Sequence, residues 1–193
     1  MNTPQKIVLA SASPRRKELM EKAGYDFSVV VSDINESEQR FNNLAPSEYA
    51  KQLALAKALS VARKYPESVV IGADTIADFE GQIIGKPRDT EHAEQITRKL
   101  FSRPHKVITG LAVIHLKDNL RLVECDTTIV YPHKMTEEQL ARHIEGGTWK
   151  DKAGAYAIQE TGDEFVEKID GSLTNVMGLP MELLAKMLDK ILT

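Results

Sequence analysis

Residues 9–19 of the chain, LASASPRRKEL, place three cations where a helix should begin. Pro14 is typical of a first helical position, so Arg15, Arg16 and Lys17 fall in the first turn. The helix dipole is positive at this end, and each exposed cation there costs roughly 0.3–1 kcal/mol. An anion bound at the helix start, such as a phosphate group, would neutralise them.

Two interpretations of this turn are possible. In one, Ser11, Ser13 and Arg16 belong to a phosphate cradle formed by a strand end, a tight turn and a helix N-terminus, with Ser13 as the cap. In the other, the turn is merely basic and solvated, and the arginine stems cover apolar surface. The spacing of the residues favours neither.

Asp74 is a second unusual residue, because it interrupts the apolar stretch 69–76 (VVIGADTI). Aspartate is disfavoured within strands, and Gly72 leaves room for a close approach. A carboxylate here would hold a divalent metal or activate water, which is slightly favoured over an Asp bonded to backbone at a strand bend. Asp74 and Thr75 face opposite ways in a regular strand, so they share a site only near the strand's end or where it twists.

Three lysines lie in small or apolar surroundings: Lys57 in LALAKALS, Lys86 in IIGKP and Lys152 in DKAGAY. Each alone is explained by a stem that covers apolar surface while its ammonium reaches water. Together with the arginines they suit a polyphosphate. Gln159, in AYAIQ, faces away from Tyr156 and could read a base edge, although a polar side chain at such a position more often faces solvent.

Several common chemistries are excluded. The segment 81–87 (GQIIGKP) resembles a phosphate-binding P-loop, but it is one residue short and has Pro where a Ser or Thr should bind magnesium. No dinucleotide fingerprint or serine nucleophile elbow is present. The five histidines lack metal-ligand spacing, and the single cysteine rules out an internal disulfide.

Bulk properties predict a single domain over residues 1–193, because a domain typically takes roughly 100–200 residues. The 42% hydrophobic content suffices for a core, and no apolar run is long enough to cross a bilayer. The N-terminus lacks a long apolar leader, and the single cysteine is typical of the cytoplasm. The net charge of −3 argues against a nucleic-acid binder.

The residue patterns interleave strands and helices. Helices are predicted at 14–23, 46–64, 90–101, 136–145 and 180–192. Strands are predicted at 6–11 and 27–32, and three hairpins pair 68–79 with 82–85, 106–116 with 120–131, and 154–159 with 164–169. Hairpins mixed with helices predict an α/β domain with a mixed sheet and flanking helices, rather than a doubly wound parallel one.

Taken together, the motifs resemble the Maf family of nucleoside triphosphate pyrophosphatases, the septum-formation-inhibitor-like proteins. The likeness runs from about Ile7 to the last helix, with the motifs in the family's order and spacing. The matching segments are SASPRR (11–16), GADT (72–75), GKP (85–87), DKAGAY (151–156), IQ (158–159) and VMGLP (176–180). The resemblance implies an ITPase-like nucleotide cleft, hydrolysis of a triphosphate to monophosphate and pyrophosphate, and a homodimer.

The resemblance also assigns residues. Asp74 falls on the proposed general base, and Glu36 on an acid that helps to bind a divalent cation, Mg²⁺ or Mn²⁺. Phosphate-side positions fall on Arg16, Lys57, Lys86 and Lys152. The positions thought to set base choice are Arg15, Thr75 and Gln159, a trio that looks like the branch acting on dTTP and UTP.

Other functions stay open at this point. One alternative is a regulator that binds nucleotides without hydrolysing them and affects cell division. Another is a different phosphohydrolase, which would release orthophosphate and ignore the base. A nucleic-acid-binding module is disfavoured by the acidic charge and by the lack of an aromatic platform. The pattern leaves open whether Asp74 acts as base or metal ligand, and whether the biological substrate is a normal or a modified pyrimidine nucleotide.

Overall fold

The structure is a computed structural model, and it describes residues 6–36, 44–150, 152–156 and 165–192. A seven-stranded mixed sheet has the order β2-β1-β3-β5-β6-β7, and β4 pairs with β3. The strands are β1 (Ile7–Leu9), β2 (Phe27–Val29), β3 (Val69–Phe79), β4 (Gln82–Ile84), β5 (His105–His115), β6 (Leu120–Pro132) and β7 (Val166–Asp170). The helices are α1 (Pro14–Lys22), α2 (Pro46–Ala62), α3 (Thr90–Leu100), α4 (Glu137–Glu145), α5 (Leu173–Val176) and α6 (Met181–Leu192). Among the described residues, no helix is long and apolar enough to cross a membrane.

Helix α2 packs directly on one face of the sheet, over β3 and β5. A Cβ at Gly110 would lie 2.2 Å from the carbonyl oxygen of Ala50, and one at Gly72 would lie 2.5 Å from that of Ala54. Only glycine fits at either position, because the helix backbone occupies the space of a side chain. The close approach predicted at Gly72 is therefore made by the protein's own helix.

Two more apolar clusters complete the core. On the opposite face of the sheet, α1 and α6 bury Met20 and Leu184 against β1, β3 and β5. A separate cluster joins α3 to the segment around Trp149 and Tyr156. This second cluster supports the wall of the cleft described below, because Tyr156 belongs to both.

Strand β3 has an open edge in its middle. On that side β1 pairs with β3 at Val69–Ile71, and β4 pairs at Ala77–Phe79. Residues 72–76 have no strand partner there among the described residues. Side chains from both faces of the sheet therefore border one gap, which explains how the oppositely facing Asp74 and Thr75 share a site well inside the strand.

The predicted mixed sheet, the five long helices and the first two hairpins are confirmed. The predicted third hairpin is wrong over its described residues, because Ala153–Ala155 forms a 3-10 turn and β7 pairs with β6. Gly154 and Ala155 have φ of 75° and 61°, which a strand does not allow. Residues 157–159 of the predicted strand lie outside the described residues.

Candidate active site

The open edge of β3 borders a cleft with two adjoining lobes, of about 400 Å³ and 620 Å³. The first lobe holds Asp74 and Thr75 and has an apolar wall that includes Tyr49, Leu53 and Ile83. The second lobe is formed by the turn at 10–16 and the segment after β2. The lobes share most of their charged residues, so one extended ligand with an apolar end and a charged end fits both.

The cleft is strongly positive although the chain is acidic. The described residues that line it include six cations and two carboxylates, an excess of four positive charges against a net charge of −3 for the chain. The cations are Arg15, Arg16, Lys57, Lys86, Lys150 and Lys152, and the carboxylates are Glu36 and Asp74. A triphosphate carries about four negative charges near neutral pH, since a terminal phosphate alone carries nearly two.

Lys57 lies at the centre of the cleft and pairs with both carboxylates. Its Nζ is 2.6 Å from Asp74 Oδ1 and 2.8 Å from Glu36 Oε1. The Asp74 side chain is only 10% exposed and that of Lys57 only 13%. Helix α2 brings Lys57 this close because its alanines let it lie directly on the sheet beside β3.

The environment acts differently on the two carboxylates. Burial raises the pKa of Asp74 above its ordinary value, although Lys57 and Arg16 act in the opposite direction. Partial burial also acts to raise the pKa of Glu36, but Lys57, Lys86 and Arg16 together lower it below its ordinary value. Asp74 is thus the better proton acceptor of the two, and Glu36 is the more firmly ionised.

Arg16 lies behind the basic turn, and all three nitrogens of its guanidinium donate hydrogen bonds to protein atoms. Its Nε donates to the Gly178 carbonyl oxygen at 2.7 Å, Nη1 to Ser11 Oγ at 3.2 Å and Nη2 to Thr75 Oγ1 at 3.1 Å. A guanidinium has five N–H groups, so two remain for a ligand. The Ser13 hydroxyl makes no capping bond, and its backbone N–H donates to Ser11 Oγ at 3.2 Å.

Residues 6–191 match the family model described as Maf-like protein. This chain belongs to the Maf family. Relatives of this Maf chain include the dTTP/UTP pyrophosphatase of Ruminiclostridium cellulolyticum, which is 39% identical over 96% of this chain and 95% of its own length. The dTTP/UTP pyrophosphatase of Citrifermentans bemidjiense is 44% identical over 91% of this chain and 90% of its own length.

A solved structure with a similar fold is the Ham1 protein of Staphylococcus aureus. It superimposes on this Maf chain with a TM-score of 0.54, over 96% of this chain and 99% of its own. The two sequences are 14% identical. The ITPase-like fold predicted from the sequence is therefore confirmed.

The Maf structure brings most of the predicted site residues together. The described ones all line the cleft: Ser11, Ser13, Arg15, Arg16, Glu36, Lys57, Asp74, Thr75, Lys86 and Lys152. Arg15 is partly buried and makes no hydrogen bond or ion pair with a described residue, whereas the Lys152 ammonium donates to the Thr148 carbonyl oxygen. Gln159 lies outside the described residues, so its predicted role stays a prediction.

The cleft residues that the sequence reasoning missed include Tyr49 and Lys150. Tyr49, Leu53 and Lys57 follow one another every four residues on α2, so one helix face presents all three to the first lobe. Burial raises the Tyr49 pKa, with further contributions from the negative charges of Asp74 and Glu36. Tyr49 could have been identified from the sequence, because it lies two steps of four residues before Lys57 on the same helix face. Lys150, in the second lobe, is signalled only by its position two residues before Lys152.

The donor set of this Maf cleft fits a divalent cation. Magnesium is usually bound by one or two carboxylates together with substrate phosphates. Glu36 and Asp74 provide two carboxylates that already share one cation, the Lys57 ammonium. Within the described ranges no three His, Cys, Asp or Glu side chains cluster closely enough to hold a metal by themselves. Beyond the ligands that the described residues offer, the substrate phosphates and water would complete the coordination.

Proposed function

We propose that the chain is a single-domain, metal-dependent pyrophosphatase that hydrolyses pyrimidine nucleoside triphosphates, dTTP and UTP, to the monophosphate and pyrophosphate. The observation that carries the proposal is the Lys57 ammonium between Glu36 and Asp74, at the centre of a cleft with four excess positive charges. The names of the curated relatives, dTTP/UTP pyrophosphatases at about 40% identity, support the substrate class.

In the proposed reaction, the cations of the cleft bind the triphosphate and hold the α-phosphorus near Asp74. Water attacks this phosphorus, a new P–O bond forms, and the bond to the bridging oxygen breaks so that pyrophosphate leaves. Asp74 accepts the water proton, or it holds the metal that acidifies the water, and both roles agree with a buried carboxylate of raised pKa. The Lys57 ammonium donates a hydrogen bond to Oδ1 of Asp74, and no described residue donates one to Oδ2.

Glu36 and Asp74 would hold the divalent cation, Mg²⁺ or Mn²⁺. When bound, such an ion offsets charge on the phosphate oxygens and lowers the pKa of its water. Lys57 favours the ionised form of both carboxylates and holds them close together before the substrate arrives. Of the phosphate-side residues, Lys86 and Arg16 also act on the pKa of Glu36, which supports their nearness to the metal.

The apolar wall of the first lobe suits the pyrimidine base, which stacks on or packs against Tyr49, Leu53 and Ile83. Arg15 and Gln159 stay proposed determinants of base choice, whereas the contacts of the Thr75 hydroxyl with Arg16 and Thr109 favour a different role for the third predicted position. The homodimer and the cytoplasmic location predicted from the sequence also stay predictions. Both normal and modified pyrimidine triphosphates stay candidate substrates, because an apolar wall accepts either base.

The decisive experiment is product identification with the purified chain. We expect pyrophosphate and monophosphate from dTTP and UTP in the presence of Mg²⁺ or Mn²⁺, faster than from ATP or GTP, and no turnover in EDTA. Modified pyrimidine triphosphates in the same panel identify the preferred substrate. Release of orthophosphate would indicate a different phosphohydrolase, and nucleotide binding without turnover would indicate the regulator.

A further inference from the structure

A chain of buried polar contacts leads away from the cleft behind Arg16. Arg16 Nη2 donates to Thr75 Oγ1 at 3.1 Å, and the hydroxyl oxygens of Thr75 and Thr109 are 2.9 Å apart. Thr109 Oγ1 then donates to the backbone carbonyl oxygen of Asn175 at 3.0 Å. Thr109 and Asn175 are both fully buried, so no water competes for the contact between them.

Counting protons fixes the direction of this chain. A hydroxyl has one proton, and the Asn175 carbonyl oxygen can only accept, so the Thr109 proton is used there. The contact between the two hydroxyls therefore needs the proton of Thr75. Thr75 also accepts from Arg16, and its only other described acceptor, the Gly178 carbonyl oxygen, is 3.4 Å away. The Thr75 hydroxyl therefore has no proton left to donate to the pyrimidine base of a nucleotide.

We infer that Thr109 is a positioning residue for Arg16, and that Thr75 contributes through the Arg16 guanidinium rather than by contacting the base. Oriented this way, Thr75 presents a fixed lone pair that holds Nη2 of Arg16. The Gly178 carbonyl oxygen and Ser11 Oγ hold the other two nitrogens. The inference rests on the proposed function in one respect, that the two remaining N–H groups of Arg16 bind a phosphate.

The test uses inorganic tripolyphosphate, an anion with no base, and isothermal titration calorimetry. Thr109→Val removes the hydroxyl at nearly constant shape, and Thr109→Ser keeps it. We expect tripolyphosphate to bind about tenfold more weakly to the valine variant, the loss of roughly one charge-assisted hydrogen bond, and normally to the serine variant. KM for dTTP should rise by the same factor, with the ranking of dTTP, UTP and CTP unchanged.

A matched control separates positioning from general damage to the core. Thr128 is also a buried threonine; it accepts from Asn175 Nδ2 and donates to the Ser172 carbonyl oxygen. It makes no described contact with Arg16. Thr128→Val should lower the midpoint of thermal unfolding much as Thr109→Val does, but leave tripolyphosphate binding within about twofold of the parent.

A double variant that also replaces Arg16 gives a second readout. In an Arg16→Lys background, which lacks the guanidinium fork, Thr109→Val should have no further effect on tripolyphosphate binding. If Thr109→Val does not fold, Thr75→Val carries the same test, because it removes the same contact to Nη2.

Several results would overturn the inference. They are parent-like tripolyphosphate binding by Thr109→Val or Thr75→Val, equal weakening by Thr128→Val, a Thr75→Val variant with an altered base ranking but unaltered anion binding, and a parent protein that does not bind tripolyphosphate. A parent protein that binds tripolyphosphate but releases no pyrophosphate from any pyrimidine triphosphate would refute the proposed function and leave this inference standing.

Discussion

The ammonium of Lys57 lies 2.6 Å from Oδ1 of Asp74, and both side chains are almost fully buried. The same ammonium is 2.8 Å from Oε1 of Glu36, whose side chain is 49% exposed. One lysine on α2 thus holds together an acid from β3 and an acid from the segment after β2. Because burial raises the pKa of Asp74 and Lys57 opposes that rise, the lysine controls how readily Asp74 takes up a proton.

Replacing Lys57 should move the pH dependence of activity. In Lys57→Met the opposing charge is gone, so the pKa of Asp74 rises further and this carboxylate becomes protonated at a higher pH. The acid limb of the plot of log kcat/KM against pH should shift to higher pH. Lys57→Arg, which keeps the charge, should shift the limb less. An acid limb at the parent position in Lys57→Met would contradict the pairing.

Asp74→Asn should remove most of the activity and preserve the fold. The amide cannot accept the water proton and is a poor metal ligand, so we expect kcat to fall by about 100-fold or more, the usual contribution of general base catalysis. Lys57 keeps Glu36 as a partner, which limits the loss of stability. Pyrophosphate release measures the first effect and circular dichroism the second. Turnover near the parent rate would remove Asp74 from the mechanism.

Arg15→Ala should change base preference more than phosphate affinity. Arg15 lines both lobes and is not anchored to any described residue, unlike Arg16. We expect the ratio of kcat/KM between dTTP or UTP and other triphosphates to change several-fold, while tripolyphosphate affinity changes less. Lys17→Ala is a matched control, because Lys17 pairs with Glu21 on the exposed side of α1.

The same expectation applies to Gln159→Ala, whose residue lies outside the described ranges. An unchanged substrate ranking in both Arg15→Ala and Gln159→Ala would refute the assignment of base choice to these positions.

Gly110→Ala should destabilise the fold strongly. Its Cβ would lie 2.2 Å from the Ala50 carbonyl oxygen, so α2 would have to move away from β5. Overpacking of this kind typically costs about 1–3 kcal/mol or more. Urea unfolding measures the loss, and Gly85→Ala, with no atom within 4 Å of the added Cβ, is the stability control. Equal midpoints for the two variants would show that α2 tolerates displacement.

His105 should make stability depend on pH. The Leu100 carbonyl oxygen is 3.1 Å from Nδ1 and can only accept, so Nδ1 carries a proton; the Tyr156 hydroxyl is 2.8 Å from Nε2. Burial lowers the pKa of His105 to about 4, although backbone hydrogen bonds oppose it. The unfolded chain titrates near pH 6.5. Between about pH 6.5 and 4 the unfolded state therefore binds more protons, and stability falls with falling pH.

The loss should approach about 3 kcal/mol at the acid end of that window. His105→Gln, which does not titrate, should be less stable than the parent near neutral pH but should lack this component of the pH dependence. Urea unfolding at pH 7, 6 and 5 gives the comparison. If the free energy of unfolding falls equally with falling pH in the parent and in His105→Gln, His105 is already charged in the folded protein.

Local signals in the sequence determined the elements and the general chemistry. Pro14 marks the start of α1, and largely apolar segments predict β3 and β5, because capping and strand propensity act over a few residues. The cluster of cations after β1 already indicated a polyphosphate. The strand predicted from residue 154 onward was wrong at Gly154 and Ala155, because a local residue pattern does not reveal their positive φ, nor that a Cβ at Gly154 would lie against the distant Leu100.

Only the tertiary structure decided which side chains meet and which of their hydrogen bonds are already used. Arg16 bonds to Gly178, 162 residues away, and Lys57 reaches Asp74 because strand order and two glycines bring α2 onto β3. The gap that gathers Asp74 and Thr75 exists because β1 and β4 each pair with only part of β3. Residue types suggest a ligand's charge from their own chemistry, but the donors left for that ligand depend on contacts between distant segments, which no local pattern contains.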